Sequence, residues 1–314
     1  MALFWVTFEA LAALLVIGLI GFWIIRRRML PGQVLRPLST LAIEIALPCL
    51  VFVKVVDGLG STRESNWWVW PLAFIGFMAW AGLLTTLCSL TIKRGRRREF
   101  ALTLLFQNIT FLPLVILTQL RGADSSILAN LFLFGLLFSP VFFNTYHLFF
   151  ARERRAFQWG KILHPVVVAS ISAVVVSLLW GPDVVPGFLM SSLELLGAMA
   201  VPLLILILGG NLYVEFQRQN KLYLSDSVKF ALAKNVVFPL ATLVLLVLLN
   251  IPRDFALILF LQSAVPPIAS IPIFVEREGG DTAAASQFII ASFAFALISI
   301  PLLMMVFGLY FPVF

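Results

Sequence analysis

The sequence predicts an all-α polytopic membrane protein: ten transmembrane helices in two inverted five-helix repeats, with helices four and nine broken and crossing. Three observations predict it. Of the 314 residues 61% are hydrophobic and only 12% charged, with a mean hydropathy of +1.04. The apolar residues fall into runs near the roughly 20 residues that cross a bilayer. A motif at the start of the fourth run returns at the start of the ninth. No soluble surface can be built from this composition, and ten spans leave no chain for a soluble catalytic domain.

The first run, 4–25, is followed by Arg26, Arg27 and Arg28. A cleaved signal peptide carries its positive charge before the apolar stretch, so this run is a retained first span. The second, 37–56, contains Glu44, Pro48 and Lys54; the third, 67–92, contains no ionisable residue. The fourth, 100–119, and the fifth, 126–150, complete a first repeat over 1–150. The second repeat, 151–314, places spans at 162–180, 188–213, 227–249, 255–274 and 283–312, with Glu194 in the seventh and Lys234 in the eighth. Trp5, Trp67, Trp68, Trp159 and Trp180 suit an interfacial belt, and His147 and His164 flank a basic loop as anchors.

Cys49 and Cys88 lie far apart inside apolar runs and read as small buried hydrophobes instead of a disulfide framework. The net charge of +7 sits in short clusters between spans, without the aromatic-basic patch of a nucleic-acid binder. With the N-terminus outside, the cytoplasmic loops hold seventeen Lys and Arg and the outer loops only Arg63, Arg121 and Arg253. The positive-inside rule therefore puts both termini outside.

Arg98, Phe100, Ala101, Leu102, Leu104 and Gln107 match Arg253, Phe255, Ala256, Leu257, Leu259 and Gln262 at an offset of 155. Pro48 and Pro202, and Asp124 and Asp281, stand at nearly the same offset. Five spans per half is an odd number, so the second half inserts upside down, the inverted repeat of many secondary transporters.

Span four carries Asn108, Thr110 and Pro113 half-way along its length; span nine carries Ser263, Pro266, Pro267, Ser270 and Pro272. Two adjacent prolines inside a span break the helix, and unwound backbone at that depth is tolerated only where it is buried or lines a cavity. Proline at the first position of a restarted helix leaves open N–H groups at residues 114–116 and 268–270, an anion site made without a charged side chain. Glu44 and Lys234 sit at equal depth from the cytoplasmic side and suit a gating or coupling pair; Glu194 suits the outer vestibule, and Lys54 a snorkelling side chain.

These residues carry a family resemblance over nearly the whole chain. Segment 38–51 with Leu47 and Pro48, segments 107–113 and 266–272, the turn Gly279, Gly280, Asp281, and segments 283–286 and 298–301 resemble the auxin efflux carrier family, bacterial branch, related to the plant PIN carriers. The resemblance implies a fold like bile-acid symporters and sodium/proton antiporters. Spans three to five and eight to ten would form a transport domain beside a scaffold of spans one, two, six and seven. It also implies a bacterial inner-membrane carrier of a small organic anion, malate-like, malonate-like or auxin-like, with a proton or sodium ion as coupling ion and a homodimer through the scaffold. Plant relatives hold ionisable residues in span three, and residues 67–92 have none.

No metal or cofactor signature is present, and neither His-Glu-x-x-His nor Gly-x-Ser-x-Gly occurs, so the reading is not an enzyme. The rival reading is a channel or membrane sensor of the same fold.

Overall fold

The computed structural model describes residues 2–62, 66–122, 126–150, 164–217 and 222–311. Among them the only extended pairing is one isolated bridge. The first half forms α1 (Ala2–Arg26), α2 (Leu35–Leu41), α3 (Leu47–Thr62), α4 (Val69–Ser89), α5 (Arg97–Leu105), α6 (Phe111–Arg121), α7 (Ser126–Phe134) and α8 (Phe138–Thr145). The second forms α9 (Pro165–Leu179), α10 (Gly187–Ala198), α11 (Ala200–Gln217), α12 (Leu224–Leu232), α13 (Phe238–Leu248), α14 (Arg253–Ala264), α15 (Ile271–Arg277) and α16 (Thr282–Tyr310).

Among the described residues seven stretches are long and apolar enough to cross a membrane: Leu3–Arg26, Gly32–Leu59, Val69–Ser89, Ser126–Phe149, Gly187–Val214, Leu224–Leu248 and Thr282–Tyr310. The fourth and ninth apolar runs are each split into two short helices, α5 with α6 and α14 with α15, and the sixth run forms α9. Asp124, Trp159 and the basic loop 151–163 lie outside the described residues.

Proline explains most of the irregular turns. A proline at position i removes an N–H and crowds the carbonyl of residue i−4. Pro48 does this to Glu44, and Pro239 to Asn235; at both places the helix relaxes into a π-helical turn, Ala42–Ala46 before α3 and Ala233–Val237 before α13. Pro202 likewise separates α10 from α11 at Met199. So Glu44 and Lys234 both sit in π turns.

Arg96 pairs with Asp226, Lys229 Nζ donates to the Thr91 carbonyl at 3.3 Å, and the Asp281 N–H donates to Glu99 at 3.0 Å. The turn before α5 and the starts of α12 and α16 therefore share one end of the molecule, the basic end. At the opposite end Arg121 pairs with Asp254 at 3.1 Å and Trp70 stacks on Phe255 at 3.9 Å. Along the side, α1 and α11 approach so closely that a Cβ on Gly209 would overlap the Gly18 carbonyl, which is why glycine stands there.

Candidate functional site at two broken helices

After α5 the chain turns extended at Phe106, and after α14 at Val265. The two unwound segments then pair with each other. Gln107 lies antiparallel to Pro267; the Asn108 N–H donates to the Pro266 carbonyl at 2.9 Å, and the Ile268 N–H to the Phe106 carbonyl at 3.2 Å. Gln262 Nε2 adds a bond to the Ile109 carbonyl at 2.9 Å. Backbone freed by unwinding is thus satisfied across the breaks, as an apolar environment requires.

Pro266 and Pro267 supply no N–H to the carbonyls of Gln262 and Ser263, their i−4 neighbours. The ammonium of Lys234 fills one of these places: Nζ donates to the Ser263 carbonyl at 3.0 Å and stands 5.2 Å from the centre of the Phe238 ring. A cation at a helix C-terminus is favourably placed. Lys234 is completely buried, and only one of its three donors has an acceptor in a hydrogen bond.

The expected open amides are corrected by the structure. The helix after the first break starts at Phe111, two residues before Pro113, because the Asn108 side chain caps it: Oδ1 accepts from the Phe111 N–H at 3.1 Å. Pro113 fits inside the first turn, where no N–H is needed. The Leu114 N–H is consequently bonded to the Thr110 carbonyl at 2.9 Å, and the open amide is that of Leu112. After the second break the helix restarts at Ile271, with Pro272 in its first turn, whereas Pro267 belongs to the bridge. Ile268 spends its N–H on Phe106, leaving the amides of Ala269 and Ser270 open.

Of the other candidates, Pro113, Pro266 and Pro267 are buried, Thr110 is half-buried and Ser270 is exposed. Ser263 is buried but its hydroxyl donates to the Phe260 carbonyl at 2.6 Å, inside its own helix. Glu44 is exposed and lies within electrostatic reach of His164; no ion pair joins it to Lys234 here. Glu194 is exposed on α10.

Sequence reasoning passed over three groups. Gln107 and Gln262 were markers of the repeat, yet both are fully buried at the breaks. Asn235, next to Lys234, exchanges bonds with α16: Ser292 Oγ donates to Asn235 Oδ1 at 2.7 Å, and Asn235 Nδ2 donates to the Ser292 carbonyl at 3.2 Å. An amide beside a lysine in an apolar run was the available signal.

A cavity of about 300 Å³ opens one turn beyond the first break, lined by Leu50, Lys54, Leu114, Thr118, Gly197 and Val201. On the other side of the breaks, Asn211, Ala269, Pro272 and Ser286 enclose only about 10 Å³. A further apolar cavity of about 330 Å³ lies between α1, α11 and α16 and touches Leu112. Among the described residues no group of three or more His, Cys, Asp or Glu side chains is placed to hold a metal ion.

Compared with known proteins, the chain matches the family described as Membrane transport protein over residues 6–156 and 149–304. No curated protein matches it.

Proposed function

Because the chain belongs to the membrane transport protein family, we propose that it carries a small organic anion, a mono- or dicarboxylate, by alternating access in a ten-span inverted-repeat architecture. The observation that carries this reading is the buried Lys234 against paired helix breaks, with no carboxylate on it. A buried ammonium held by one neutral carbonyl is costly. A substrate carboxylate supplies the missing negative charge, and the open Leu112 amide at the start of α6 adds a donor from a helix N-terminus.

In this reading Asn108 and Thr110 shape the start of α6, Pro113, Pro266 and Pro267 hold the unwound backbone, and Ser263 and Ser270 border the second break. The large cavity on the Lys54 side and the narrow slit on the Asn211 side are the two access routes, one open and one closed. Glu44, in the scaffold, meets Lys234 only when the transport domain has moved.

The test is a thermal-shift screen of purified protein against mono- and dicarboxylates, followed by counterflow in proteoliposomes. A ligand at 100 times its Kd stabilises the fold by about 2.7 kcal/mol. We expect at least one carboxylate to raise the melting temperature and to exchange labelled for unlabelled substrate. No shift across the panel together with no counterflow overturns the reading.

A further inference from the structure

Glu99, Thr103 and Gln107 follow one another at intervals of four, from the basic end of α5 to the first break. Each is at most 5% exposed, and each carries an atom without a hydrogen-bond partner: Glu99 Oε2, Thr103 Oγ1 and both amide atoms of Gln107. The spacing puts Glu99 and Thr103 on one helix face, one turn apart. Gln107 continues the line two residues past the helix end.

Apolar walls flank this line. On one side Leu102 and Phe106 pack with Ile271, Val275, Ala285 and Ile289. On the other, Phe100 lies 5.2 Å from Phe230 and 5.7 Å from Phe288. Unpaired buried polar atoms are expensive, and apolar packing gives no reason to keep several on one face.

The unpaired atoms are mostly acceptors: a carboxylate oxygen, a hydroxyl and, counting Gln262 Oε1 across the break, two amide oxygens. Such a surplus calls for a positive occupant. Among the described residues the neighbouring cations are engaged, Arg96 with Asp226 and the Tyr223 ring, Lys234 with the Ser263 carbonyl, and Arg97 through one guanidinium nitrogen with the Leu90 and Ile92 carbonyls, its Nε being left without a partner.

The titratable and charged groups on the elements packed against α5 can be named. Arg97 and Arg98 precede Glu99 on α5 itself, and Arg94 and Arg96 lie in the preceding turn. Tyr223 and Asp226 come from the start of α12, Glu276 and Arg277 from α15, and Asp281 from the start of α16. Tyr146 and the buried His147 come from the turn after α8, and α4 contributes only Cys88. The Tyr223 hydroxyl donates to Asp281 Oδ2 at 2.7 Å, which holds it above the usual phenol range and keeps it a donor. Glu99 Oε1 is occupied by the Asp281 N–H, so Oε2 is the free position.

We propose that Glu99 is a proton-binding site and that its proton couples to transport of the anion; the coupling half of this rests on the function proposed above. Glu99 Oε2 takes a proton from hydronium at the basic end, one O–H bond breaking as water is released and one forming on the carboxyl, and the neutral carboxyl donates it in a hydrogen bond to Thr103 Oγ1. One proton thereby pairs two orphaned atoms. The carboxylate stands about 12 Å from the first break, about 9 Å along the helix to Leu105 and about 3.3 Å for the extended step to Phe106. Across that distance at an effective dielectric constant near 20, removing its charge strengthens binding of a monoanion at the breaks roughly tenfold. By linkage the anion favours the proton equally, which makes the pair a symport.

The direct test is infrared difference spectroscopy of the protein in lipid vesicles as the pH is lowered. We expect a carboxylic-acid carbonyl band that Glu99→Gln removes, that Asp226→Asn leaves in place, and that Thr103→Val shifts in frequency. A titrating band unaffected by Glu99→Gln, or no titrating band, overturns the site. The coupling is read with labelled malate: wild-type counterflow affinity falls from acid to alkaline pH by roughly tenfold per negative charge, about a hundredfold for the dianion, whereas Glu99→Gln flattens the profile. A retained profile in Glu99→Gln overturns the coupling. If wild type shows no malate counterflow while the band is that of Glu99, the proton site stands and malate as cargo falls.

Discussion

Lys234 shows how a single side chain acquires its role from its neighbours. In the sequence it is one of two lysines inside apolar runs. In the fold it replaces the N–H that Pro267 withholds from the Ser263 carbonyl, a match between residues 29 apart. Asn108 was recognisable as the polar residue at a break, but its work as a cap on Phe111 follows from where the helix restarts. The Ser263 hydroxyl is spent on its own helix, so Ser263→Ala is expected to be nearly silent. Lys234→Met removes a charge-assisted bond worth roughly 1.5 to 3 kcal/mol to a bound carboxylate, or about 10- to 150-fold in affinity. The measurement is carboxylate affinity by thermal shift and counterflow, with Ser172→Ala on α9 as control. Unchanged affinity in Lys234→Met would remove the lysine from the site.

Proline and glycine dominate at the scale of elements, because their effects are local and steric. Pro48 and Pro202, read in the sequence as marks of the repeat, and Pro239, which was passed over, each mark an interruption in the fold, and the form taken, a π turn or a clean separation, depends on what packs alongside. Pro266 and Pro267 are the strongest pair. With both changed to alanine, the residues at 266 and 267 regain N–H groups for the Gln262 and Ser263 carbonyls, and intrinsic propensity favours helix by about 3 kcal/mol at each position. We expect α14 to extend through the break, the bridge to Gln107 to be lost and counterflow to drop by more than tenfold, with the melting temperature held or raised. Hydrogen exchange at Asn108, whose N–H donates to the Pro266 carbonyl, reports the bridge directly. Wild-type protection at Asn108 in the double variant would mean that the prolines are not what keeps the break open.

The arrangement of the whole molecule leads to a prediction about orientation. Seventeen Lys and Arg lie in one set of loops and three in the other, and in the fold Arg96, Lys229 and the Asp281 turn share an end opposite the Arg121–Asp254 pair. With Cys49 and Cys88 replaced by alanine, Asn66→Cys is expected to react with an impermeant thiol reagent on intact cells, and Gly95→Cys only after permeabilisation. The reverse pattern would turn the protein over. Composition and apolar run length were enough to determine a helical membrane protein, the prolines the two places where helices break, and the resemblance of short segments its family, because burial in lipid and proline geometry act over a few residues of contiguous chain. The pairing of one break with the other, the capture of the Ser263 carbonyl by Lys234 and the alignment of Glu99 with Asp281 join residues 29 to 182 positions apart. Contacts of that separation are set by how the helices pack, and only the tertiary structure could decide them.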